Sequence, residues 1–289
     1  MKNLVLGTVQ FGLNYGLTNK DGQVNIEEVF KILDYARANG VNTLDTASAY
    51  GEAEKILGSY NHISDFNVIT KGVNTSNEKG LRDSIEKSLL NLNSQSLYAY
   101  LIHKFDDLKH NRNLVENLNA IKSEGFLKKI GVSLYNPEEL EFILDNDTKL
   151  DIVQIPLNIF DQRFLAKNLL TEAKRKGIEI HIRSIYLQGL LLQPVDKLDL
   201  YFKPYIDLFE RYSRFLKDNK INRIQAVCNF NNNLDFIDSI VFGVCSQDQL
   251  QDFIINNEIS PCEKLDFSQF SSNIKDVIDP LTWKKNGLI

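Results

Sequence analysis

The sequence is poor in the groups that staple, anchor or charge a chain. Its 289 residues include three cysteines, Cys228, Cys245 and Cys262, with no Cys-x-x-Cys spacing. Neither a disulfide framework nor a zinc site is suggested. Cations do not outnumber anions: the net charge is −5 and the pI about 5.5. No basic excess is available to collect phosphates, which argues against nucleic acid or an anionic membrane as partner. The densest basic run, Lys174-Arg175-Lys176, falls at an expected helix C-terminus, where the helix dipole favours cations. No apolar run approaches the ~20 residues that span a bilayer. The opening run Leu4-Val5-Leu6 stops at Gly7 and is too short for a signal peptide. These absences make a cytoplasmic, reduced protein the default. No linker or composition shift divides the chain, so 1–289 is expected to be a single domain.

What is present is alternation. Short apolar runs are expected as strands at 4–7, 41–45, 67–70, 97–102, 129–134, 151–155, 178–182 and 239–242. Between them lie segments with helical periodicity. Asn25 can cap one whose inner face carries Ile26, Val29, Phe30, Leu33 and Ala36, with Glu28 reaching back to the cap and Gly40 ending it. Others are expected at 52–58, 79–92, 114–123, from Pro137, at 166–176, 205–218, 223–229 and 247–255. The strands are nearly continuous apolar runs, as in a parallel sheet covered on both faces. Eight β-then-α units favour a closed (β/α)8 TIM barrel over an open doubly wound sheet. No Gly-x-Gly-x-x-Gly follows the first strand, which removes the usual dinucleotide signature of the open alternative.

In such a barrel the chemistry lies at the C-terminal strand ends. Three neighbouring strands end there on Asp45, Lys71 and His103, and a small-residue loop places Tyr50 five positions after Asp45. A phenol with an ordinary pKa of ~10 is a poor acid at neutral pH. An ammonium beside it favours the phenolate, and a carboxylate keeps that ammonium charged and oriented. With a histidine reaching the same oxygen, the set can give a proton to a carbonyl oxygen or take one from an alcohol. Taken singly, Asp45 also fits a loop cap and Lys71 a solvated strand end. From spacing alone both readings stand.

Leu44-Asp45-Thr46-Ala47-Ser48-Ala49-Tyr50-Gly51, Ile69-Thr70-Lys71 and Leu101-Ile102-His103 resemble, in order, the three catalytic motifs of the aldo-keto reductase superfamily. The resemblance extends to Leu6-Gly7-Thr8 with Phe11-Gly12, to Ile130-Gly131-Val132-Ser133, to Gln154 with Asn158, and to Ser184 with Gln188-Gly189-Leu190-Leu191. It reaches the segment from Gly243 to Leu250. It implies an NAD(P)H-dependent enzyme that reduces an aldehyde or ketone to an alcohol. Tyr50 would be the general acid, Lys71 and Asp45 its tuning pair, and His103 the group that orients the substrate. Ser133 and Gln154 would hold the nicotinamide carboxamide. Arg183, Ser184, Gln188, Gly189, Gly243, Ser246 and Gln249 would complete the cofactor cradle.

Several positions depart from the family pattern. Leu134 replaces an asparagine, and Arg183 stands where an aromatic ring usually stacks on the nicotinamide. A guanidinium can stack, and its charge would disfavour the oxidised cofactor; pairing with a carboxylate at the barrel top is the alternative. Ser246 with Gln249 forms an expected capping box, at a helix N-terminus suited to an adenosine phosphate. From Gly243 to Ile255 there is no Lys or Arg. The resemblance favours NADPH, whereas this lack points to weak discrimination or to NADH. Tyr15, Phe11, Phe105 and Trp283 are candidates for the substrate pocket, with packing on the barrel wall as the alternative for the tryptophan. Residues 192–204 form a candidate loop over the cofactor or a passive surface loop. A non-catalytic nucleotide sensor on the same barrel is a competing reading that has no need of the tetrad. A metal-dependent lyase or hydrolase would need more His, Asp and Glu at the strand ends, so no metal is expected.

Overall fold

The computed structural model describes residues 2–72, 78–111, 113–261 and 263–289. Cys262 lies outside the described residues. Eight parallel strands close into a barrel in sequence order. They are β1 (Asn3–Gly7), β2 (Thr43–Asp45), β3 (Asn67–Gly72), β4 (Leu97–Ile102), β5 (Leu127–Ser133), β6 (Ile152–Pro156), β7 (Glu179–Arg183) and β8 (Ser239–Gly243). Closure comes from β1 pairing with β8, with Gly7 opposite Gly243. Sequence reading finds every strand to within two residues at either end. The shortest is β2, because Val41 and Asn42 lead into the strand without joining the ladder.

The helices form where amphipathic periodicity and capping coincide. Asn25 accepts the Glu28 amide at 2.9 Å and opens Ile26–Ala38, whose buried face is Val29, Ile32, Leu33 and Ala36. Asn136 and Glu139 make a reciprocal capping box around Pro137. Among the described residues no helix is long and apolar enough to cross a membrane.

Side chains alternate between the barrel interior and the helix layer with period two. On β3, Ile69 and Lys71 share a face; on β4, Ala99 and Leu101; on β6, Ile152 and Gln154. Ile69, Ala99, Leu101 and Ile152 form their own fully buried cluster, separate from the larger core beneath the helices. That apolar cluster lies on the inward faces of β3, β4 and β6. The next inward positions along the strands, Lys71 and Gln154, are therefore set on top of it.

Candidate functional site

The loop after β2 is tied down on both sides. The Thr8 amide and hydroxyl both donate to the Asp45 carbonyl, at 3.0 and 3.1 Å. The Ser48 amide and hydroxyl both donate to the Lys71 carbonyl, at 2.9 and 3.1 Å. Glycines let two loops interlock beside Tyr50. A Cβ on Gly12 would lie 1.8 Å from the Tyr50 carbonyl oxygen, and one on Gly51, at φ +55°, 2.3 Å from that of Gly12. The Phe11-Gly12 and Tyr50-Gly51 pairs thus fix where the tyrosine leaves the backbone.

Asp45 is the hub of the site. Its carboxylate accepts from Lys71 Nζ through Oδ1, and from Gln154 Nε2 through Oδ2 at 2.7 Å. Lys71 also donates to the Thr46 carbonyl at 2.9 Å. Lys71 is 1% and Asp45 4% exposed, so this is a buried ion pair with its hydrogen-bonding groups engaged. Burial pulls the Lys71 ammonium down from the ordinary lysine value, opposed chiefly by the Asp45 charge. The ammonium lies 5.4 Å from the centre of the Tyr50 ring, and the Tyr50 and His103 rings meet edge to face at 6.0 Å. Asp45, Tyr50, Lys71 and His103 are therefore brought together on one wall.

The proton states differ from the expectation in one respect. Lys71 was expected to favour the Tyr50 phenolate. Burial and the Asp45 carboxylate instead push the Tyr50 phenol up, with Arg183 acting in the opposite sense. The phenol is protonated at neutral pH, the state a proton donor needs. Burial, and then the Lys71 and Arg183 charges, bring His103 down to about 4. It is neutral at pH 7, so one ring nitrogen carries a proton to donate and the other does not.

These groups line one end of a 680 Å3 cavity that also reaches Ser133, Arg183, Ser184, Gln188, Gly189, Gly243 and Gln249. Its volume is in the range of small-molecule sites. Gln154 faces it too, but its amide nitrogen is already engaged with Asp45; only Oε1 is buried without a partner. The loops after β1 and β7 meet over the cavity. Gln188 Nε2 donates to the Tyr15 hydroxyl at 3.2 Å, and a Cβ on Gly189 would lie 2.0 Å from Thr18 Oγ1. Ser184, Leu187 and Gln188 hold left-handed backbone conformations in that second loop, a concentration of strain of the kind found at ligand clamps.

The helix Gln247–Glu258 shows two differences from the sequence reading. Ser246 caps it by accepting the Gln249 amide at 3.2 Å, but the Gln249 carboxamide bonds the amide of Cys245 at 2.8 Å, so the box is not closed on the cap. Ser246 is not part of the cavity wall, whereas Cys245 is. Glu28 does not reach back to Asn25. Its Oε1 accepts the Gln247 amide at 2.8 Å, which holds its carboxyl below the usual range.

Among the described residues Arg183 pairs with no carboxylate. It lies over the Tyr135 ring with Cζ 4.4 Å from the centre, and donates to the Leu134 carbonyl at 3.0 Å and Ser184 Oγ at 3.2 Å. Tyr135 was not foreseen; its only sequence signal is its place two residues after Ser133. Of the four aromatic candidates, only Tyr15 lines the cavity. Phe11 is fully buried and Phe105 stacks edge-on against Phe142. Trp283 packs against Phe202 at 5.6 Å and donates to the Asp276 carbonyl at 2.8 Å. Of residues 192–204, only Leu192 reaches the cavity; Phe202 is core. Among the described residues no group of three or more His, Cys, Asp and Glu is placed to hold a metal ion.

The sequence model of the Aldo/keto reductase family matches residues 3–274. The chain belongs to this family. It is 27% identical over 207 residues to Oxidoreductase sirO of Leptosphaeria maculans, an alignment covering 68% of this chain and 63% of that one. It is 25% identical over 186 residues to Aldo-keto reductase YhdN of Bacillus subtilis, covering 59% of this chain and 54% of the relative. The chain thus spans less than two thirds of the length of these relatives. The aldo-keto reductase AKR11C1 from Bacillus halodurans, in its holo form, shares the fold with a TM-score of 0.75 at 17% identity, over 94% of this chain and 93% of that one. In this chain β7 ends on Arg183, and no Lys or Arg occurs from Gly243 to Ile255.

Proposed function

We propose that the chain, as one barrel domain, is an NAD(P)H-dependent reductase of aldehydes or ketones. The observation that carries this reading is Tyr50 set beside a buried Lys71–Asp45 pair and against the His103 ring, on the wall of the 680 Å3 cavity. The cradle fits such a group. Gln154 Oε1, Gln10 Oε1 and Gln188 Oε1 are buried acceptors without partners along it, suited to the carboxamide and hydroxyl donors of a nicotinamide nucleotide.

The reduced nicotinamide, when bound, supplies the hydride for the carbonyl carbon. Tyr50 gives its proton to the carbonyl oxygen as negative charge develops there. His103, neutral, donates a hydrogen bond to the same oxygen and fixes its direction. Lys71 stabilises the phenolate left behind, and Asp45 keeps Lys71 charged in its buried position. The products are an alcohol and the oxidised nucleotide, and Tyr50 recovers its proton from solvent. With an apolar cluster beneath Lys71 and Gln154 and the Tyr15–Gln188 contact above, the site restricts the water that would screen these charges.

Glu28 favours NADH over NADPH in this reading. Its carboxylate occupies an amide at the N-terminus of Gln247–Glu258, where a 2′-phosphate would otherwise find a partial positive charge. Asp21 and Asp252 add negative charge to the cavity wall, beside Lys20. Fluorescence titration with NADH and NADPH, combined with turnover of a simple aldehyde, tests the proposal. Binding with turnover supports it, and binding without turnover across a broad carbonyl panel refutes it.

A further inference from the structure

The positive charge in the site is not balanced. Lys71 is neutralised by Asp45, and His103 and Tyr50 are uncharged at neutral pH. Arg183 remains. Its neighbours are a carbonyl, a hydroxyl and an aromatic face, and among the described residues no carboxylate pairs with it. Its Nε is buried without a hydrogen-bond partner. A partly buried guanidinium with an unfilled donor is an unfavourable arrangement unless something brings it an acceptor charge. The Tyr135 ring holds its plane in place, and each terminal nitrogen keeps a second hydrogen beyond its bond to Ser184 or Leu134, so the guanidinium on the cavity wall is oriented for an oxyanion.

A second cavity of 240 Å3 adjoins the first at this point, and Arg183, Tyr15, Tyr135, Ser184 and Gln188 line both. The second cavity runs towards the helix Pro280–Lys285. Its other charged groups are mostly spent internally. Arg163 is held by Asp161 through two bonds at 2.8 and 2.9 Å, and Asp279 caps its own helix, accepting from the Leu281 amide at 3.1 Å and the Thr282 hydroxyl at 2.7 Å. Lys284, at the rim, adds a further cation with no ion-pair partner among the described residues. The side chains lining this space carry one more positive charge than negative, Arg163, Arg183 and Lys284 against Asp161 and Asp279.

We propose that Arg183 receives an oxyanion, carboxylate or phosphate, carried by the substrate, so that the carbonyl compounds reduced here are anionic and extend into the second cavity. This rests on the reductase reading for its chemistry, but the anion site stands on its own geometry.

The test compares matched pairs on the wild-type protein with NADH and with NADPH: 4-formylbenzoate against its methyl ester, and glyceraldehyde 3-phosphate against glyceraldehyde. The expected result is a kcat/KM at least about tenfold higher for the anionic member of one pair, carried mainly by KM. Which pair shows it identifies the oxyanion. In Arg183→Gln the ratio within that pair falls towards one, while Arg183→Lys retains part of it. Calorimetry with 4-(hydroxymethyl)benzoate and its methyl ester, and with glycerol 3-phosphate and glycerol, reads the same preference on the protein without turnover. If no aldehyde is reduced, the reductase reading fails and the calorimetric preference alone decides the anion site. Equal binding within both pairs, or a preference that survives Arg183→Gln, overturns the inference.

Discussion

Glu28 and Gln247 are 219 residues apart, and the carboxylate of one accepts the backbone amide of the other at 2.8 Å. This contact places a fixed negative charge at the N-terminus of the helix Gln247–Glu258, whose Gln249 and Asp252 line the cavity. Replacing it by alanine exposes the amide and removes the charge. Glu28→Ala is expected to lower the dissociation constant for NADPH relative to that for NADH by about fivefold, the size of a helix-terminus charge effect. Fluorescence titration of both cofactors on both proteins measures it; an unchanged ratio removes Glu28 from cofactor choice.

Arg183 makes the reverse kind of contribution. In the proposed reading it is a cation beside the nicotinamide, and it opposes the positive charge of the oxidised ring. Arg183→Tyr is expected to tighten the oxidised cofactor severalfold relative to the reduced one. Dissociation constants for the two redox forms test this, and weaker binding of the oxidised form by the variant would sink it.

The Asp45–Lys71 pair predicts a stability effect separable from catalysis. Asp45→Asn leaves a buried ammonium without its counter-charge, at a cost of about 3–5 kcal/mol. The double variant Asp45→Asn/Lys71→Met removes the charge as well and is expected to recover much of that loss while remaining inactive. Urea unfolding at pH 7 distinguishes the two. Equal destabilisation in single and double variants contradicts the buried-pair account.

His103 sets a pH dependence. Its folded value of about 4 lies below the ordinary 6.5, so between those values the unfolded chain binds the proton that the folded chain refuses. Stability therefore rises with pH across this window and falls as pH drops from 6.5 towards 4. His103→Gln is expected to flatten this part of the profile. Melting temperatures from pH 4 to 7.5 for both proteins measure it, and parallel profiles would refute the assignment.

Much of this site could be read before any coordinates. Asp45, Lys71 and His103 lie at or next to the ends of consecutive strands, and alternation along a strand fixes which side chains face inward. Tyr50 follows from a short loop. These are local relations, and local periodicity carries them. The Glu28–Gln247 contact was missed because capping logic assigns Glu28 a partner three residues away, while the stronger field came from a helix distant in sequence. Arg183 was visible as a departure, but its seat over Tyr135 depends on where the loops after β5 and β7 meet. Phe11, Phe105 and Trp283 were offered to the pocket because aromatic type alone does not distinguish a cavity wall from a core. Their burial is decided by packing with residues such as Phe142 and Phe202.

The central claim is that Tyr50 delivers the proton. Tyr50→Phe keeps the ring and removes only the hydroxyl. Single-turnover reduction of a reactive aldehyde, with cofactor binding measured on the same samples, tests it most directly. The account predicts a loss of about 10²–10⁴-fold in the rate with the NADH dissociation constant close to that of wild type. Reduction by the variant at a near-wild-type rate would contradict it.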